Sequence, residues 1–314
     1  MTNDGSTTFS ARHLPWMKIG RTIDDPHVTA AEAAKLGGLD FDVSRFPTFY
    51  RDDQDEYHEI PTRHALVNQT DSAHPQWMSI VSDDYRVVQY GDAFGFLDEI
   101  NPRYVSAGTL RDGKQGFLII QLPGRETIDI APAGEPDPHQ LYVMVRTSHD
   151  LSKAIEVAVI TLRDKCMNQL TLPSLTQDAP QRWNVRHIGD PMQKLQEAQR
   201  VLTGSARYAE VIGNRIEQLV NVRVTPQRLR IVLKHVLRPT LARRDEMIDQ
   251  ILSVAGRPTV GFAGTGWGAV NTVSEYFQWG RSTATRTAQS LFTDSLDGDG
   301  ARYTNKVATA LLAS

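Results

Sequence analysis

Two apolar runs separated by an Asp-Gly turn place the strongest constraint on this chain of 314 residues. Tyr104 to Leu110 and Gln115 to Leu122 carry the aromatic and β-branched residues that suit a pleated, half-buried surface. Between them, Arg111-Asp-Gly-Lys114 has the signature of a two-residue hairpin loop. Two further strands are predicted at Leu141 to Thr147 and Ala154 to Leu162, joined by Ser148-His-Asp-Leu-Ser152, after a Pro/Gly/acid-rich connection from Pro123 to Pro138. Ahead of them, Trp77 to Val81 and Tyr85 to Tyr90 read as a hairpin-like pair across Ser82-Asp83-Asp84. Asp92 to Ile100 then fits a helix with Phe94 and Leu97 inward. The expectation is an α+β protein: an antiparallel β-meander followed by a helix at Asp164 to Leu170, with a mainly helical C-terminal half.

That second half is announced by its start signals. Asp190-Pro191 and Thr225-Pro226 each pair an N-cap residue with proline at the first helical position. Leu195, Ala198, Leu202, Ser205, Ala209, Ile212, Ile216 and Leu219 alternate spacings of three and four, a heptad seam that predicts a long helix packed on another helix. Leu229, Val232, Leu233, Val236 and Leu237 line one face of the next helix, and Arg230, Lys234 and Arg238 share another. Further helices are predicted at Leu241 to Val254, Trp267 to Trp279 and Ala301 to Leu312. Near the amino terminus, Thr29-Ala-Ala-Glu32 is a capping box opening a short helix that Gly37 and Gly38 close. Arg51 to Glu59 reads as an acidic solvated loop. The organisation expected is an N-terminal arm with a short helical segment over 1–76, an antiparallel α+β core over 77–180, and a helical region over 181–314.

Charge is distributed unevenly along this plan. The formal net charge is −3, yet Gln181 to Arg244 holds thirteen Lys/Arg against four Asp/Glu, while Met1 to Ile60 holds six against eleven. The local field, rather than the average, attracts phosphate. The single cysteine, Cys166, excludes an internal disulfide and any multi-thiolate metal site. No apolar stretch has the length of a membrane span and Met1 to Arg12 has no signal-peptide core, so a cytoplasmic location is expected.

No residue set names a reaction, and none calls for a cofactor or a metal. Ser148, His149 and Asp150 hold the letters of a triad, but consecutive side chains do not form the relay, and a tight turn capped by Ser and Asp is the reading preferred. Gly261, Gly264, Gly266 and Gly268 precede a helix without the lysine of a phosphate loop, which points to a tight turn with close helix packing. His187 could contact a phosphate or cap the following helix, and the structural reading is preferred. Asp83, Asp84 and Asp98 are the nearest approach to a nuclease's carboxylates, and acidic loops are the reading preferred for them.

Several segments together resemble a family known from bacteriophages, plasmids and integrated elements, usually described only as phage/plasmid-like proteins of unknown function. They are Pro15-Trp-Met-Lys-Ile-Gly20, Ala33 to Val43, Tyr85-Arg-Val-Val-Gln89 with Ala93-Phe-Gly-Phe-Leu-Asp98, and Ser106-Ala-Gly-Thr-Leu110. Ser148-His-Asp150, Cys166-Met-Asn168, Trp183-Asn-Val-Arg-His187 and Thr265-Gly-Trp-Gly-Ala-Val-Asn271 with Glu275-Tyr276 follow in order. The resemblance implies a mobile element in a bacterial cytoplasm. A further, architectural likeness links the meander and its following helix to single-strand annealing proteins of the phage Red beta and RecT group.

On these grounds the expected function is non-enzymatic: single-stranded DNA binding, with strand annealing as its extension. The candidate nucleic-acid-binding residues are Lys114, Arg146, Lys153, Arg163, Lys165, Arg182, Trp183 and Arg186. The expected partners are single-stranded DNA and further copies of the chain. The alternative is an interaction protein of the mobile element acting on a host defence or replication factor through the acidic first 60 residues.

Overall fold

A computed structural model describes residues 19–122, 127–130, 137–163, 168–170, 182–187, 190, 205–238, 241–254, 262–281 and 287–313. Its centre is an antiparallel sheet of eight strands. The path runs from β1 (Arg21–Thr22) through β5 (Arg103–Leu110), β6 (Gln115–Gln121), β8 (Asp137–Ser148) and β9 (Ile155–Arg163) to β10 (Asn168–Leu170). Two short strands lie off this path: β7 (Thr127–Ile130) pairs with β8, and β11 (Arg182–Val185) pairs with β9. The predicted meander is therefore present.

Both faces of the sheet's central strands, β6, β8 and β9, are buried, which explains why they read as near-continuous apolar runs. Leu118, Ile120, Val143, Val145, Ile155 and Val157 point to one side, into the main core. Phe117, Ile119, Tyr142, Met144, Ala158 and Ile160 point to the other, where Phe292 and Leu296 cover them.

The C-terminal helices build the main core. They are α3 (Ser205–Asn221), α4 (Pro226–Val236), α5 (Leu241–Ser253), α6 (Gly266–Glu275), α7 (Ala288–Asp297) and α8 (Asp299–Leu312). Ile212, Ile216 and Leu219 of the heptad seam are buried in α3, while Leu195, Ala198 and Leu202 lie outside the described residues. Thr225 caps α4 through a hydrogen bond from the Arg228 amide. Thr265 caps α6 in the same way, and Gly264 before it adopts φ +76°. A Cβ on Gly266 would stand 2.8 Å from the Leu219 carbonyl, so the glycine-rich run is a tight turn that seats α6 against α3. α7 had no counterpart among the predicted helices.

On the N-terminal side, α1 (Ala30–Leu36) has the predicted capping box, with Thr29 and Glu32 each bonding the other's backbone N–H. α2 (Tyr90–Gly95) continues into a 3-10 turn to Ile100, with Phe94 and Leu97 buried. A second sheet has the order β2 (Val43–Arg51), β3 (Tyr57–Asn68), β4 (Gln76–Ser82).

The structure corrects several expectations. Trp77 to Val81 forms part of β4, but its partner is β3, not Tyr85 to Tyr90. The latter segment is irregular because the Gln89 side-chain amide takes the place of a ladder partner: it accepts from the Val43 N–H at 3.0 Å and donates to the Val43 carbonyl at 2.9 Å. Strands β2 and β3 occupy a stretch expected to be an arm and an acidic loop, and only Asp52 to Glu56 is the turn between them. The loop after Leu110 has four residues, with Arg111, Asp112 and Gly113 all left-handed, because Leu110 pairs directly with Gln115. The helix expected from Asp164 to Leu170 is replaced, over its described part, by β10, which extends the sheet beyond β9.

Candidate nucleic-acid interface

The eight residues predicted to hold nucleic acid divide into three groups. Arg146 is not at the surface. It is 1% exposed, donates to both carboxylate oxygens of Glu156 at 3.0 and 3.1 Å, and reaches Asp297 of α7 at 2.5 Å. Lys153 binds the other Asp297 oxygen at 2.7 Å. The two carboxylates raise the Arg146 pKa against the opposing effect of burial, and Arg146 with Lys153 holds the Asp297 carboxyl below its usual range. Arg146 is thus corrected from a phosphate ligand to a clamp between the sheet and α7. A buried guanidinium must spend its donors on carboxylates, because an unpaired buried charge is prohibitively costly.

The second group lies along the β9 edge. Arg163 closes β9 opposite Asn168 and His139; Arg182 and Trp183 on β11 pair in register with Ala158 and Val157. Their side chains and all of Lys165, like Cys166, lie outside the described residues. Arg186, just past β11, is exposed.

The third group is Lys114 alone, and it is joined by an aromatic partner that sequence inspection did not pair with it. Its ammonium sits 4.5 Å from the centroid of the Trp77 ring, and Trp77 is 55% exposed. Gln76 donates to the Asp112 carbonyl at 2.5 Å, fixing β4 to the loop that carries Lys114. Arg111 in the same loop is also exposed and lies 3.3 Å from Asp150. The ring and its cation are 37 positions apart in sequence, so only the docking of the two sheets reveals the pair.

That docking is organised by the Ser148-His149-Asp150 turn. Ser148 Oγ donates to the Lys153 carbonyl and accepts from its N–H, both at 3.0 Å, and Asp150 accepts from the Ser152 N–H and hydroxyl. These are the turn-capping roles predicted for Ser and Asp. His149 receives the Ser79 hydroxyl on its carbonyl at 2.6 Å and donates its N–H to Lys114 at 2.8 Å. Its ring packs edge-on to Tyr90 at 4.6 Å and is fully buried, with neither nitrogen bonded among the described residues. Burial, seconded by the neighbouring His187, holds its pKa down to about 4.

His187 is buried too, stacked on Tyr85 at 5.0 Å, with Thr147 Oγ1 3.2 Å from its Nε2 and the Arg86 carbonyl 3.3 Å from its Nδ1. The structural role preferred for His187 is what these contacts give it, as a rivet in the same seam; the helix expected to follow it lies outside the described residues. The His187 backbone carbonyl accepts from Arg86 at 2.9 Å, which brings the exposed Arg86 and Arg186 next to each other.

Of the carboxylates considered for metal-dependent chemistry, Asp83 and Asp98 are engaged elsewhere. Asp83 pairs with Arg45 at 3.1 Å, and Asp98 caps α1 through the Ala30 N–H while accepting from Tyr104. Among the described residues the one group spaced for an ion is Asp52, Glu56 and His58, where Asp52 Oδ1 already accepts from the Gln54 and Glu56 amides and Oδ2 meets His58 at 2.6 Å. This is turn chemistry.

A family described as a domain of unknown function, DUF932, matches residues 77–299 of the chain. The protein belongs to the DUF932 family. No curated protein and no solved structure matches it. The DUF932 match opens on Trp77 itself, takes in Lys114, the His149 seam and Arg186, and ends at the start of α8. It leaves out β2 and β3.

Proposed function

We propose that this DUF932 protein binds single-stranded DNA without catalysing a reaction, as part of a phage or other mobile element, and that annealing follows from holding extended strands. The observation that carries the reading is the solvent-facing Trp77 ring with the Lys114 ammonium against it. An aromatic face beside cations is what single-strand binding requires: every base has a π-face to stack, and the phosphate between bases needs a cation within reach. Arg111, Arg86 and Arg186 supply further exposed cations around the same seam. Arg146 and Lys153, engaged with Asp297, take no part.

Fluorescence anisotropy of a labelled oligothymidine tests this. The expected result is binding that tightens as salt falls, a weakening of roughly 1–3 kcal/mol for Trp77→Ala from the lost stack, and a shallower salt slope for Lys114→Gln. An oligonucleotide that stays unbound at low salt sinks the reading, as does a Trp77→Ala protein binding as tightly as the parent.

A further inference from the structure

The distal half of the β2–β3 hairpin has no core. From Pro47 to Arg63 no residue is buried, and β4 pairs with β3 only from Arg63 onward, so beyond that point two strands stand alone. The ribbon extends on the order of 15 Å past the third strand, at ~3.4 Å per residue. A two-stranded ribbon by itself is marginal in water and gains independent stability only from a third strand or a packed face. This one displays Phe49, Tyr50 and Tyr57, the last 71% exposed. Local contacts shape it without covering the rings: Tyr50 stacks on His58 at 5.2 Å, and Arg51 meets Asp55 at 2.9 Å and the Tyr57 ring at 5.8 Å. Pro47 to Arg63 holds five carboxylates against two arginines.

The same chain carries the complementary surface. Arg223 to Arg244 contains seven Lys/Arg and no Asp or Glu. On α4, Ile231 is 56% exposed, and Lys234 and His235 at i+3 and i+4 share its exposed face; Arg238, also exposed, follows just past the extended C-cap Leu237. Arg230 of the predicted cationic row is neutralised by Asp249 of α5 at 2.6 Å, which the sequence reading did not anticipate. Lys234 and Arg238 make no ion pair among the described residues. An apolar centre flanked by unneutralised cations therefore faces solvent on one part of the molecule, and an apolar ribbon flanked by carboxylates on another.

We propose that the hairpin of one copy docks on the outer face of α4 of a second copy. Tyr57 and Phe49 lie against Ile231, and Asp53, Glu56 and Glu59 approach Lys234 and Arg238. The contact joins two different surfaces, so it is heterologous: repeated, it closes into a ring or grows into a filament. It needs no nucleic acid and does not depend on the DNA-binding reading.

The test uses the full chain, free of nucleic acid, in sedimentation velocity over a range of micromolar concentrations. The parent is expected to assemble with rising concentration, and less so with rising salt. An arm variant, Asp53→Lys with Glu56→Lys, and a helix variant, Lys234→Glu with Arg238→Glu, are each expected to stay monomeric. Mixed in equal amounts they reassemble, because the reversed arm meets the reversed helix while the native arm meets the native helix. That rescue also shows that both variants are folded. Tyr57→Ser weakens assembly on the order of tenfold or more, as loss of an aromatic anchor does. A parent that is monomeric throughout, or a mixture that fails to reassemble, overturns the proposal. So does a helix variant that keeps assembling but loses oligonucleotide affinity, since α4 is then a nucleic-acid surface; loss of DNA binding through Trp77→Ala alone leaves assembly intact and bears only on the other reading.

Discussion

Strands β8 and β3 have the same length, 12 residues each, and both pair antiparallel with neighbours on two sides for part of their course. In β8 every residue from Leu141 to Ser148 is buried, including a charged arginine; in β3 only Leu66 is. Backbone pairing is thus no guide to what a strand's side chains are for. In β8 even the polar groups serve the fold, and their partners are internal. In the distal half of β3 and β2 the apolar groups do not serve the fold, and internal partners for the rings are few. The contrast separates the residues whose loss unfolds the protein from those whose loss changes only what it touches.

The contrast breaks first if Arg146 proves dispensable. Arg146→Met removes the guanidinium that bridges Glu156 and Asp297, while Lys153 stays on Asp297. Removing one partner from a buried ionic cluster costs about 3–5 kcal/mol. Urea unfolding is expected to show a fall of that size, with part recovered when Glu156→Gln and Asp297→Asn are added. A change under about 1 kcal/mol, the scale of an exposed pair, means that this end of the sheet is open to solvent and that α7 is not clamped there.

How much of this was legible in the sequence follows the same division. The central strands of the large sheet, β5, β6, β8 and β9, declared themselves through apolar runs and the Asp-Gly turn, because both of their faces are buried; β1, β7 and β11 did not, and β10 was expected to be helix. The helices α4, α5, α6 and α8 were legible through caps and periodicity. Strands β2 and β3 were not, because a ribbon exposed on both faces has no period-two pattern to read. Arg146 was misassigned to the surface because one of its two counter-ions, Asp297, lies 151 positions away on a helix not expected from the sequence, and the other, Glu156, becomes its neighbour only through the pairing of β8 with β9. Trp77 was seen as a strand residue but not as a partner of Lys114, since sequence gives no distance between sheets. The Ser148-His149-Asp150 turn was assigned correctly, yet the burial of His149 depends on Tyr90, Ser79 and His187 arriving from three other segments.

That burial supplies a second way to sharpen the comparison, through pH. His149 is held near a pKa of about 4, against 6.5 for the ordinary side chain. Above pH 6.5 the ring is neutral in folded and unfolded chains alike and contributes no pH dependence. As pH falls below 6.5 the unfolded chain takes up a proton that the folded one refuses, so stability drops until both are protonated near pH 4. At 1.36 kcal/mol per unit the loss is on the order of 3 kcal/mol. His187, lowered by burial in the same seam, adds in the same direction. Thermal melts between pH 7 and pH 4.5 are expected to show this fall, and a His149→Leu protein a flatter profile; an unchanged slope in the variant locates the acid sensitivity elsewhere.

The smallest expected effect is the most informative about the ribbon. Tyr57→Ser removes a large aromatic group from a strand, which in β8 would open a cavity worth several kcal/mol. At Tyr57, 71% exposed, there is no cavity to open; what is lost inside the molecule is the Arg51 contact at 5.8 Å. A change in monomer stability within about 0.5 kcal/mol is expected, the range of surface substitutions. The measurement is urea unfolding at a concentration dilute enough to keep the parent monomeric, set beside the same measurement where it assembles. Equal stability when dilute, with a deficit that grows with concentration, is the signature of a group kept for contact between copies, since a partner that binds only the folded state adds stability by mass action. A deficit of the same size at every concentration instead makes Tyr57 part of the fold, and the distinction between the two strands then rests on degree rather than on purpose.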